Sequence, residues 1–348
     1  MSFFAHQDGM SRRDFLKATA ATTAGLAILN WPAKKTEAVE KYPHWGEVVV
    51  IRDGAATEGA NVDGRVVRSM LDEAVQALTE GRGWPSLFPS VTPEDTVGIK
   101  VNTVARWMTT HWELVEAMVE RLVGIGFQAK NIIVWDTTWS TMNAPNYSLT
   151  KDTSRLRVMG TDQLKEPYDK DRPVDLQGDT AYLSRLLTQA THLINAPILK
   201  EHFETGVTFA LKNHVGSVDN APKLFHGPPE KGNFIHRLLG RGRPRQERIA
   251  LINSVADVQK KTRLIVGDAL FGIYEKGPTG NPQFTHNGLI VGTDPVATDY
   301  QAWSVIDEER AKREKPSMKP QHVEYAARLG LGAPLDEIRT IPVDRKKK

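Results

Sequence analysis

The chain has 348 residues, with 45 Lys and Arg set against 42 Asp and Glu and no cysteine. So even a balance disfavours nucleic acid as a partner, because nucleic-acid binding calls for a strong basic bias. The absence of cysteine excludes thiolate-ligated iron–sulfur clusters, cysteine-type zinc sites and cysteine nucleophiles from this chain.

In chain order, the first forty residues do not read as part of a fold. Ser11-Arg12-Arg13-Asp14-Phe15-Leu16-Lys17 sets paired arginines before an uncharged stretch from Ala18 to Trp31, and Thr36-Glu37-Ala38 has the small residues of a cleavage site. This is the layout of a secretory signal, and the arginine pair makes it the twin-arginine type, an address read by a receptor. The expectation is a signal over 1–38, use of the twin-arginine export machinery, and a periplasmic or otherwise extracytoplasmic location. The apolar stretch falls short of the ~18 to 20 residues that a stable span needs, and no other segment is apolar enough. Without 1–38, 310 residues remain, with 40 Lys and Arg against 39 Asp and Glu. They are expected to form a single α/β domain over 39–348.

Glu47–Ile51 reads as a first strand, and residues 65–79 as an amphipathic helix with Val67, Met70, Leu71, Ala74 and Leu78 at helical spacing. A β-prone run, Thr96–Val101, is followed by a helix over Glu113–Val123 and a strand over Asn131–Trp135. That spacing describes a βαβ unit with a parallel strand pair. Residues 137–182 are polar and turn-rich, which predicts an excursion or small subdomain. A helix over 180–190, an apolar run Thr191–Leu199, a helix over 246–260, strands Arg263–Val266 and Gly288–Gly292, and helices over 294–306 and 320–329 follow. Between them, Lys223–Arg245 reads as a long loop. The alternation predicts an open, mostly parallel sheet covered by helices, with ligands at the carboxyl ends of the strands.

Polar residues gather just after those strands. Lys100 and Asn102 close the first run of the βαβ unit. Lys200, Glu201 and His202 follow the Thr191–Leu199 run, with Lys212, Asn213 and His214 close behind. Asp268 follows Leu264–Val266, and Asp294 and Asp299 follow Gly288–Gly292. Each has an ordinary reading too. A lysine at a strand end is usually solvated, and Asp294 before Pro295 suits a helix N-cap. Asp299 lies within an otherwise apolar helix and needs a partner. Trp107, Trp112, Trp135 and Trp139 are candidates for stacking on a ligand, although Trp135, ending a strand, reads as core.

These segments resemble the domain-of-unknown-function family 362, over about Val48 to Gly332. The carrying pieces are Val97-Gly98-Ile99-Lys100-Val101-Asn102, Ala196-Pro197-Ile198-Leu199-Lys200-Glu201-His202, Gly206-Val207-Thr208-Phe209-Ala210-Leu211-Lys212-Asn213, Gly277-Pro278 after Asp268, and Asp294-Pro295-Val296-Ala297-Thr298-Asp299. Members of that family often carry ferredoxin-like cysteine segments. This chain has none, so no iron–sulfur role carries over.

Two chemistries fit such a site. In one, Lys100, Lys200 and Lys212 converge on a small anionic molecule bearing phosphate or carboxylate. Asn102 and Asn213 would orient it, and His202, with Lys200 and Asp268, would move a proton. In the other, His202, His214, Asp268 and Asp299 hold a divalent metal with open positions. His226 and His236 in the loop would cover either site. The arginines from Arg237 to Arg248 read as a solvated loop rather than a nucleic-acid contact. No phosphate-binding P-loop, Gly-x-Ser-x-Gly elbow or Gly-x-Gly-x-x-Gly fingerprint is present. The two functional classes left are an enzyme for a small anionic molecule and a ligand- or metal-binding accessory protein for an exported redox partner.

Overall fold

Short apolar runs along the chain build one large sheet, seen in a computed structural model that describes residues 43–143, 147–225 and 245–345. The 1–38 segment, His226, His236 and Arg237 lie outside the described residues.

The β-rich run predicted at 47–51 is β1 (Glu47–Arg52), followed by helix α1 (Gly64–Leu78). Asp63 caps α1 through the backbone N–H groups of Arg65 and Val66, and its apolar stripe of Val67, Met70, Leu71, Ala74, Val75 and Leu78 is buried. The expected βαβ unit is present as β2 (Val97–Val101), α2 (Trp112–Gly124) and β3 (Ile132–Asp136). Its two strands pair in parallel from Val97 opposite Ile132 to Lys100 opposite Trp135.

The 137–182 excursion is partly a member of the sheet. Its strand β4 (Arg157–Gly160) pairs in parallel with β3, while β5 (Tyr168–Leu176) and β6 (Asp179–Ser184) form a separate hairpin. This corrects the helix expected over 180–190: residues 179–184 are strand, and only Arg185–Gln189 is helical. Thr180, Tyr182 and the apolar Ala181 and Leu183 alternate in and out, and strand pairing wins over a short helical pattern.

The apolar run Thr191–Leu199 divides at Pro197 into β7 (His192–Ala196) and β8 (Ile198–His202), since proline has no N–H to donate to a ladder. A short strand β9 (Gly206–Thr208) pairs back on β8, and a single helical turn α3 (Ala210–Asn213) follows. The long-loop reading of 223–245 fails at both ends. Lys223, Leu224 and Phe225 belong to a short helix, Ala221–Phe225, and Arg245 opens α4 (Arg245–Asn253). The helix expected over 246–260 breaks after Asn253 and resumes as Ala256–Gln259.

The remaining strands are longer than their apolar runs suggested. They are β10 (Thr262–Ile273) and β11 (Phe284–Gly292), and they pair antiparallel. Helices α5 (Pro295–Ala311) and α6 (Gln321–Arg328) and strand β12 (Arg339–Asp344) complete the order.

Strands run across the sheet as β12-β1-β11-β10-β7-β2-β3-β4, with β8 and β9 branching from β10. Most ladders are parallel, the exceptions being β1/β11, β10/β11 and β8/β9. Apolar layers cover both faces: α1 and α2 pack on one, and α3, α5 and α6 on the other. A parallel sheet buried on both sides explains why its strands read as continuous apolar runs. No helix among the described residues is long and apolar enough to cross a membrane.

Candidate functional site

The site lies at the carboxyl ends of β2, β3, β7 and β8, where β10 passes beside them and α3 covers them. The pairing of Ile198 with Asp268, and the bond from the Asp268 N–H to the Pro197 carbonyl (2.8 Å), set β8 against the middle of β10. Two residues on, after a break in the register, Lys200 stands opposite Ile273, still within reach of the Asp268 charge.

Lys100, 1% exposed, is matched by Asp136 at the end of β3. Its Nζ donates to Asp136 Oδ1 at 2.7 Å and to the Val101 carbonyl at 2.8 Å. Thr103 donates to Asp136 Oδ2 from both its N–H (2.7 Å) and its hydroxyl (2.8 Å). Burial works against the Asp136 charge, yet Lys100 and Thr103 hold its pKa below the usual carboxylate range. Gly216 leaves room for this pair, since a Cβ there would stand 2.7 Å from Thr137 Oγ1 and 3.3 Å from Lys100 Nζ.

Lys200 is buried as deeply but has a neutral partner, Asn102 Oδ1, at 2.9 Å. Asn102 Nδ2 donates to Asn213 Oδ1 (3.2 Å), and Asn213 Nδ2 donates to Asn195 Oδ1 (2.8 Å) and to the Lys100 carbonyl (3.1 Å). A chain of amides thus links the two lysines across three elements. Burial pulls the Lys200 pKa down to about 7, against the opposing charges of Asp136 and Asp268. The sequence reading brought Lys100, Asn102, Lys200 and Asn213 together, and the structure places them in one network.

Lys212 and His202 form a second pair, with Nζ and Nε2 2.9 Å apart. The Glu204 N–H donates to His202 Nδ1 at 3.1 Å, so in the neutral ring the proton sits on Nε2 and points at Lys212. A neutral Lys212 amine is the acceptor this arrangement asks for. Burial lowers the Lys212 pKa to about 8, with Glu204 opposing.

One participant was missed by the sequence reading. His111 donates to Asp268 Oδ2 twice, from its backbone N–H (2.8 Å) and from ring Nδ1 (2.7 Å). Burial disfavours the imidazolium, but Asp268 and Glu113 outweigh it and raise the His111 pKa. His111 stands at the N-cap of α2, and its side chain makes no cap hydrogen bond there. A histidine where Ser, Thr, Asp or Asn is favoured is the one sequence signal that marked it.

The tentative metal ligands are not gathered into one set. His202 faces Lys212, and Asp268 is held by His111. His214 Nδ1 meets Ser217 Oγ at 3.1 Å, and burial lowers its pKa to about 3. Asp299 accepts from the Leu211 N–H (3.2 Å) and lies 3.6 Å from His322 Nε2. It therefore anchors the first turn of α3 rather than facing the rim. Among the described residues no group of three or more His, Asp or Glu side chains is placed to hold a metal ion. Asp294 is the N-cap of α5, as its place before Pro295 suggested. Trp135 is core at 0% exposed, whereas Trp107 and Trp139 are exposed.

Residues 9–28 match the twin-arginine translocation pathway signal sequence, so the protein is exported by that route. No curated protein matches the chain. Among solved structures, the lactate racemase apoprotein from Thermoanaerobacterium thermosaccharolyticum is similar at a TM-score of 0.39 and 11% identity. The match covers 75% of this chain and 57% of that one, so the chain spans little more than half of that structure's length. Residues 97–304, which hold Lys100, His111, Lys200, His202, Lys212 and Asp268, match the domain of unknown function DUF362, and the chain belongs to that family.

Proposed function

We propose that this exported protein is an enzyme acting on a small molecule that bears a phosphate or carboxylate. The anion is held at the carboxyl rim of the sheet by Lys200, while Asn102 and Asn213 orient it and Lys212 stands by as a neutral amine beside His202. The observation that supports this reading most is the setting of Lys200, a fully buried amine whose hydrogen-bond partner is a neutral amide. An ammonium taken out of water without a carboxylate at contact is costly, and a bound anion would remove that cost. Lys100 needs no such ligand, being neutralised by Asp136, and serves to fix the amide chain. Lys212, its pKa lowered by burial to about 8, is a proton acceptor beside His202, and Asp268 balances the lysine charge.

A non-catalytic binding role is the second reading, and one observation favours it. None of Lys100, Lys200, Lys212 and His202 is more than 7% exposed, as suits a site that captures and encloses its ligand. Calorimetry with sulfate and malonate on the exported protein tests the shared premise. Binding that takes up protons near pH 7 to 8 and is lost in Lys200→Met is the expected result. Equal binding by wild type and Lys200→Met would overturn it. Multiple turnovers of any small anion found bound to the purified protein would then select the enzyme, and stoichiometric capture the binder.

A further inference from the structure

His111 and His202 share one rim but differ in what their rings can reach. Both ring nitrogens of His202 are engaged by the protein, Nδ1 by the Glu204 N–H and Nε2 by Lys212, and the residue is 1% exposed. The His111 ring packs against Phe271, with centroids 5.5 Å apart, makes its hydrogen bond through Nδ1 to Asp268 Oδ2 at 2.7 Å, and its side chain is 19% exposed. Asp268 itself is fully buried, and its Oδ1 accepts from the Leu270 N–H at 3.2 Å. The carboxylate is thus fixed, and it fixes the imidazole tautomer with the proton on Nδ1 and the lone pair on Nε2.

The loop carrying His111 is tied to the lysine network. The Thr110 hydroxyl donates to the Ala196 carbonyl at 2.8 Å and accepts from the Asn102 N–H at 3.0 Å, so residues 102 and 110 are clamped side by side. Tyr147 adds a bond from its hydroxyl to the Thr110 carbonyl at 2.8 Å. Asn102 holds Lys200, and Asp268 lies opposite Ile198, two residues before Lys200 on β8. Position and orientation of the ring are therefore set by the elements that set Lys200.

We infer that His111, oriented by Asp268, is the proton-transferring residue that faces the ligand held by Lys200. The inference rests on the lysine site proposed above and assigns its acid–base role to His111 in place of His202. In the step it performs, Nε2 takes a proton from the ligand's reacting group, and the imidazolium so formed is paired with the Asp268 carboxylate. The same proton returns to the product, so no other reactant is needed. His202, with both nitrogens occupied, instead positions Lys212.

Acylation by diethyl pyrocarbonate, mapped by mass spectrometry on the exported protein at pH 7, tests this with sulfate as the probe. His111 is expected to react while His202 and His214 do not. Sulfate at ten times its dissociation constant should slow the His111 reaction about tenfold, in proportion to occupancy. His44, before β1 at the opposite end of the strands, is the reference whose rate stays unchanged. Failure of His111 to react, or a His111 rate unaltered while calorimetry shows sulfate bound, overturns the inference and leaves the lysine site standing. If calorimetry finds no binding that Lys200→Met removes, the lysine site fails and the inference falls with it. Should Lys200→Met not fold, Asn102→Leu, which removes the Lys200 contact together with the bond to Asn213, replaces it.

Discussion

Asp294 and Lys200 are buried alike, at 0% and 1% exposed, and their surroundings are opposite. Asp294 takes backbone N–H groups from Val296 and Ala297 in the first turn of α5, from Gly46 before β1, and from Ala333 after α6. Four backbone donors from three parts of the chain make it a structural knot, although burial still raises its pKa. Lys200 has one neutral side-chain partner and a pKa pulled down to about 7 by burial. Burial of a charge therefore does not mark a site. What separates the two is whether the fold itself supplies the compensating groups.

The strongest way to break this comparison is to remove the knot. Asp294→Ala strands four buried N–H groups and a helix cap, and should cost on the order of 5 kcal/mol in denaturant unfolding. A loss under about 1 kcal/mol would mean that the knot is not structural. Lys200 should behave in the reverse way. The folded protein releases the Lys200 proton near pH 7, whereas the unfolded chain keeps it to about 10.5. The unfolded state then holds more protons between those values, and stability rises with pH by on the order of 4 kcal/mol from this group. Lys200→Met should lack that rise and melt at or above wild type at pH 7, while anion binding disappears. A melting point well below wild type would make Lys200 structural.

Lys100 sharpens the contrast between the two buried lysines. Lys100→Met leaves Asp136 buried and unpaired, and should destabilise by about 3 kcal/mol. Lys100→Met combined with Asp136→Leu should recover part of that loss. The smallest effect is expected at Trp107, 61% exposed, where replacement by Ala should change stability by less than about 0.5 kcal/mol.

The local patterns were readable because their causes are local. The α1 stripe follows from helical spacing, the βαβ unit from apolar runs either side of α2, and the α5 cap from Asp294 before Pro295. Lys100, Asn102, Lys200 and Asn213 could be grouped because a parallel sheet delivers all its strand ends to one rim. The helix expected over 180–190 went wrong in its first half, where pairing of Asp179–Ser184 with β5 outweighed the helical pattern, and held over Arg185–Gln189.

What the sequence by itself determined is the export signal, the absence of thiol chemistry, the sheet-and-helix class and the rim on which the charged residues gather. Each depends on residue type or on spacing within about twenty residues. Only the tertiary structure decided the partners. It matched Lys100 to Asp136 and left Lys200 to an amide, drew Asp299 away to α3, and brought His111 onto Asp268 from 157 positions away. Those choices depend on strand order and register, because hydrogen bonds across a sheet join residues whose separation along the chain carries no signal.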